Sequence, residues 1–106
     1  MESLDLAELA ARATRAAQGW SPGATVHDIT VLHGGQSSLT FSALAGDRQI
    51  ALKVAPPGLA PVRNRDVLRQ ARAITALGTV PGMKVPAVLF ADGGDPPDVP
   101  PLFAMS

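Results

Sequence analysis

The sequence predicts an α+β fold: a five-stranded antiparallel sheet with one helix packed on it and a second helix leading into it. Two stretches carry apolar residues at helical spacing, and several short segments rich in β-branched residues alternate with Gly, Pro and Asp. The first three of these segments are joined by connections too short for parallel crossovers, so they must pair antiparallel. A length of 106 residues suits one compact domain covering 1–106, which buries roughly two-thirds of the surface its unfolded chain would expose.

The elements follow in order. Leu6, Leu9, Ala10, Ala13 and Ala17 recur at helical spacing, with Ser3 as the expected cap and Gly19 as the stop. This helix is expected to pack on the sheet and to carry no chemistry. After the turn-prone Ser21-Pro22-Gly23, strands are predicted over Val26 to Leu32, Leu39 to Leu44 and Arg48 to Val54. Pro56-Pro57-Gly58 and Pro61 break the chain before a helix from about Asn64 to Leu77, ended by Gly78. Val67, Ala71, Ile74 and Leu77 define its buried face, and Gln70 shares that face or its margin. A fourth strand is predicted over Val85 to Ala91, a Pro/Gly/Asp loop over Asp92 to Pro101, and a fifth strand over Leu102 to Met105.

Composition excludes several functions. Nine acidic and nine basic side chains balance, which leaves no broad positive field for nucleic acid or anionic lipid. The absence of cysteine removes disulfides, thiolate metal sites and Cys nucleophiles, and suits a reducing cytoplasm. Met1-Glu2-Ser3-Leu4-Asp5 is acidic where a signal peptide needs positive charge, and no apolar run approaches the ~20 residues of a membrane span. A cytoplasmic protein with no membrane and no nucleic-acid partner is expected.

Two features could carry chemistry. Period-two alternation in the third strand puts Ile50, Leu52 and Val54 on one face and Gln49, Ala51 and Lys53 on the other. Taken alone, a lysine near a strand end is a solvated edge residue. The turn Gly34-Gly35-Gln36-Ser37-Ser38 lets backbone N–H groups face a ligand while its serines add hydroxyl donors, although Gly-Gly between strands is also an ordinary hairpin turn. It is neither a Walker A loop nor a dinucleotide fingerprint, since both of those open a helix and here a strand follows.

The order of parts is more informative than any part. A strand, a Gly-rich turn, a strand, a tight turn, a strand with Ala51-Leu52-Lys53 and a helix with an inward polar residue resemble the upper lobe of protein-kinase-like enzymes. The run from Leu32 to Phe41, with Asp66 to Leu77 and Val85-Pro86-Ala87-Val88-Leu89, is similar to the aminoglycoside phosphotransferase and choline kinase superfamily. Its bacterial branch related to the phosphotransferase domain of some acyl-CoA dehydrogenase proteins is the nearest in flavour. The resemblance spans nearly the whole chain and covers the first lobe of a family member. It implies that Gly34, Gly35, Gln36, Ser37 and Ser38 cover the phosphates of ATP and that Lys53 contacts the α- and β-phosphates. It further implies that Ala51 and Leu32 line the adenine pocket, and that Met105 and Ser106 lead into a hinge offering backbone hydrogen bonds to adenine.

Two departures from the family pattern stand out. Gln70 occupies the place of a glutamate that orients the lysine; an amide oxygen can accept from Lys53 but forgoes the charge, and charge-assisted bonds are roughly twice as strong as neutral ones. The family's catalytic and magnesium-binding aspartates belong to a second lobe, and the sequence ends before either, so the 106-residue chain is expected not to turn over. The complete enzyme would use ATP and Mg²⁺ to phosphorylate a small-molecule hydroxyl. The alternative is a non-catalytic module that binds a partner, either a second copy or a complementary C-terminal lobe, through the face such a lobe would cover.

Other groupings are weaker. His27 and His33 lie roughly 20 Å apart on an extended strand and share no metal. Asp92, Asp95 and Asp98 lack the ligand pattern of an EF-hand. Arg63, Arg65, Arg69 and Arg72, interleaved with Asp66, read as a solvated helix face.

Overall fold

Asp5, rather than Ser3, starts the first helix. In a computed structural model that describes residues 5–34, 39–55, 67–82, 84–94 and 99–106, helix α1 runs over Leu6–Ala17. The Asp5 carboxylate accepts from the amides of Ala7 at 2.9 Å and Glu8 at 3.3 Å, satisfying donors that a helix start leaves orphaned. The other end stops where expected, with Gln18 as the C-cap directly before Gly19, and is reinforced by a side chain. Gln18 donates to the carbonyls of Thr14 and Ala24 and accepts from the Gly23 amide, so one amide group ties the last turn to the Ser21-Pro22-Gly23 bend.

The strands are β1 (Val26–Gly34), β2 (Leu39–Ala45), β3 (Arg48–Val54), β4 (Val88–Asp92) and β5 (Leu102–Met105), and α2 (Val67–Leu77) lies between β3 and β4 in the chain. All five strands form one antiparallel sheet in the order β1-β2-β3-β5-β4. The first three make the expected meander. β5 then enters between β3 and β4, which buries Leu102, Phe103 and Ala104 completely. β1 extends two residues past its predicted end and is irregular, with register shifts between His27 and Thr30 and between Val31 and His33. Asp28 has φ of 55°, a left-handed conformation that Asp tolerates better than most residues.

One face of the sheet meets α1. Phe41, Ala43 and Ala45 alternate inward along β2, and Ile50, Leu52 and Val54 along β3, as period-two spacing requires. They pack with Leu9, Ala13, Ala17, Val26, Phe90, Leu102 and Ala104. Ala13 and Ala17 are fully buried, and their small side chains let α1 lie close to β1 and β4. Leu6, expected on this face, is 41% exposed because it sits in the first turn, at the edge of the contact. Trp20 closes the far end of the core, with its ring 5.9 Å from that of Phe90 and the Arg48 guanidinium stacked over it at 5.3 Å.

Among the described residues, α2 covers the opposite face over β4 and β5. Val67 and Ala71 pack on Phe103 and Ala55, with Ile74, Val88 and Met105 at the margin. Leu77 is exposed rather than buried, as is every residue from Thr75 to Gly82, so the last helical turn has no sheet beneath it. The predicted beginning of this helix before Val67 lies outside the described residues. β4 begins at Val88, three residues later than predicted, and includes Asp92. Pro86 lacks an amide hydrogen and is poorly suited to continue the ladder.

Candidate functional site

The pairing register places the candidate lysine. Thr40 of β2 stands opposite both His33 of β1 and Lys53 of β3, and Lys53 in turn stands opposite Phe103 of β5. One step along, Gly34, Leu39, Val54 and Leu102 form the next rung. The two ends of the Gly-rich connection therefore leave the sheet one residue beyond Lys53. With neighbouring strands about 4.8 Å apart, the β1 end of that connection stands roughly 10 Å across from β3. Gly35, Gln36, Ser37 and Ser38 themselves lie outside the described residues.

Residues opposite each other in an antiparallel pair share a face, and successive residues alternate. Thr40 and Ser42 on β2, Ala51 and Lys53 on β3, and Phe103 and Met105 on β5 therefore share the face away from α1. α2 seals the Phe103 part of it. Thr40, Ser42, Ala51, Lys53 and Met105 are half-buried, so Lys53 sits where the covered and open parts of this face meet. Among the described residues no buried polar side-chain atom lacks a hydrogen-bond partner, and the Thr40 and Ser42 hydroxyls and the Lys53 ammonium make no side-chain hydrogen bond. All three groups are thus open to solvent, next to one another, on a single sheet face. An ammonium beside hydroxyl donors suits a ligand rich in acceptor oxygens, such as a phosphate chain.

The remaining candidates fall around this strip. Ala51 stands between Ser42 and Met105, so Ala51, Lys53 and Met105 lie on neighbouring positions of the same sheet face. Leu32 lies at the irregularity between Val31 and His33 and is 61% exposed. Ser106 follows β5 and is tied back to the segment before β4: its amide donates to the Ala87 carbonyl and its Oγ accepts from the Ala87 amide, both at 3.0 Å. Its backbone N–H is already engaged with Ala87 and cannot serve a second acceptor. Gln70 is half-buried on α2 beside Val67 and Ala71, and Gln70, Arg69 and Arg72 are each engaged in an interaction. Arg63 and Arg65 lie outside the described residues.

Asp92, expected in a solvated loop with Asp95 and Asp98, instead ends β4 and faces α1. Its Oδ2 accepts from Arg12 Nε at 3.3 Å and Nη2 at 3.2 Å, and its Oδ1 accepts from the Gly94 amide. The Arg12 side chain is 6% exposed and that of Asp92 33%, so this ion pair is a pin between helix and sheet on the face opposite Lys53. Asp95 and Asp98 lie outside the described residues. Among the described residues no three His, Cys, Asp or Glu side chains are grouped to hold a metal, and no helix is long and apolar enough to cross a membrane.

Thr40, Ser42 and Arg12 were not singled out from the sequence. The first two had a usable signal, since Leu39-Thr40-Phe41-Ser42-Ala43 alternates apolar and polar residues in step with the neighbouring Leu52-Lys53. Arg12 had none, because only the packed fold brings it to Asp92. No protein-family model, curated protein or solved structure matches the chain significantly. Among the described residues, fold and geometry define an α+β arrangement of a five-stranded antiparallel sheet and two helices, with a lysine beside hydroxyls on the sheet face away from α1.

Proposed function

We propose that this chain is the nucleotide-gripping lobe of a kinase-like phosphotransferase. The observation that carries the reading is the register: Lys53 and the two ends of the Gly-rich connection lie on adjoining rungs of one sheet, with Thr40 opposite both β1 and Lys53. A glycine-rich turn roofing a phosphate chain and a lysine neutralising it need this adjacency. The half-buried setting of Lys53 supports it further, since a cation at the edge of an apolar region attracts an anion more strongly than one in bulk water.

In this reading Lys53 and the amides of Gly34 to Ser38 hold the phosphates of ATP, and Ala51, Leu32 and Met105 contact the base. Bound ATP supplies the phosphoryl group. Magnesium would accompany the nucleotide as part of the substrate. The chain's own part is to position and neutralise the phosphates, and the acceptor is a hydroxyl on a small molecule.

Calorimetric titration of the chain with ATP and magnesium tests this. Replacing Lys53 with alanine is expected to weaken affinity roughly tenfold or more, since hydrogen bonds involving a charged group contribute about 1.5–3 kcal/mol. Equal affinity in parent and Lys53→Ala would overturn the nucleotide site. A second reading would then stand, a non-catalytic module docking a partner, favoured by the exposed Val31 and Leu32 side by side on the edge strand β1.

A further inference from the structure

We infer that Thr40 is a second phosphate-binding residue of this site, its hydroxyl donating to the same phosphate group whose charge Lys53 neutralises. The inference rests on the nucleotide reading of the Lys53 face and adds a residue to it. Thr40 and Lys53 are directly paired across β2 and β3, which puts their Cβ atoms about 5 Å apart on one face. Ser42 is paired with Ala51, and its diagonal separation from Lys53 is about 7–8 Å. Of the two hydroxyls, only that of Thr40 stands level with Lys53, and it lies one rung from the Gly34–Leu39 ends of the Gly-rich connection.

The chemistry points the same way. A threonine hydroxyl can accept from an ammonium, yet Thr40 and Lys53 form no hydrogen bond with each other, and no described side chain accepts from either. Two donor-bearing side chains thus stand paired on the half-buried strip. A phosphate group offers several acceptor oxygens on one centre, so it can take the Nζ–H and the Oγ1–H together. The contact requires the phosphate and not the base, which separates it from the packing roles of Ala51 and Met105.

The test uses the whole chain and three probes: magnesium–ADP, inorganic tripolyphosphate and adenosine. Thr40→Val keeps the shape and β-branching and removes only the hydroxyl, while Thr40→Ser restores it. Thr40→Val is expected to weaken ADP and tripolyphosphate roughly five- to tenfold and to leave adenosine unchanged, with Thr40→Ser close to the parent and Ser42→Ala affecting tripolyphosphate less than Thr40→Val does. Thr40→Ala serves the same purpose should the valine variant fold poorly, with circular dichroism confirming the fold of each protein. If Lys53→Ala weakens ADP while Thr40→Val and Thr40→Ala bind it like the parent, the Thr40 contact is wrong and the nucleotide site stands. If Thr40→Val weakens adenosine as much as ADP, the hydroxyl acts through the fold and the inference falls. If the parent binds neither ADP nor tripolyphosphate, the inference and the nucleotide reading fall together.

Discussion

The polar residues of this chain divide between the two faces of the sheet according to what surrounds them. On the α1 face, Arg12 is nearly excluded from water and its charge is met by Asp92. On the other face, Lys53 keeps its contact with solvent. Removing one member of the buried pair strands the other: Asp92→Ala is expected to destabilise the fold by about 2–3 kcal/mol, below the full buried-pair cost because the Asp92 side chain is one-third exposed. Replacing both with apolar residues, as in Arg12→Met with Asp92→Leu, is expected to recover most of that loss. Urea unfolding of the single and double variants measures both, and a double variant no more stable than Asp92→Ala would show that the pair contributes more than charge balance. Arg12 was illegible in the sequence because α1 and β4 are separated by most of the chain, whereas Lys53 was legible because strand alternation is a local rule.

Elements obeyed local chemistry where it was strong and departed where packing intervened. β3 and β5 have the predicted bounds, since alternation in one and a short apolar run in the other leave little freedom. The start of α1 moved to Asp5, whose carboxylate reaches two orphaned amides. β4 shifted toward Asp92 because pairing with β5, rather than propensity, sets its ends. The turn after β4 depends on one glycine. Gly94 has φ of 64°, and a Cβ built there would collide with the Val99 carbonyl oxygen. Gly94→Ala is expected to cost roughly 2 kcal/mol or more, combining left-handed strain with a backbone clash. A thermal midpoint equal to the parent's would show that this turn can rearrange without disturbing the sheet.

Across the molecule, α1, the sheet and the Trp20 cluster form one connected core. Trp20 is the only tryptophan, it packs against the core of α1 and the sheet, and it touches both Phe90 of β4 and Arg48 of β3. Its fluorescence and far-ultraviolet circular dichroism are expected to report the same denaturant midpoint, as two-state unfolding of a small domain requires. Separate midpoints would show that α1 detaches before the sheet melts. The sequence alone determined the α+β class, the antiparallel meander of β1 to β3, the apolar and polar faces of β3, and the place of Lys53 on the polar one, because alternation and short turns act over a few residues. Only the tertiary structure decided that β5 inserts between β3 and β4 and that Arg12 pins α1 to Asp92. Each of those depends on which distant segments meet, and segments meet through burial of surface that no single stretch of sequence contains.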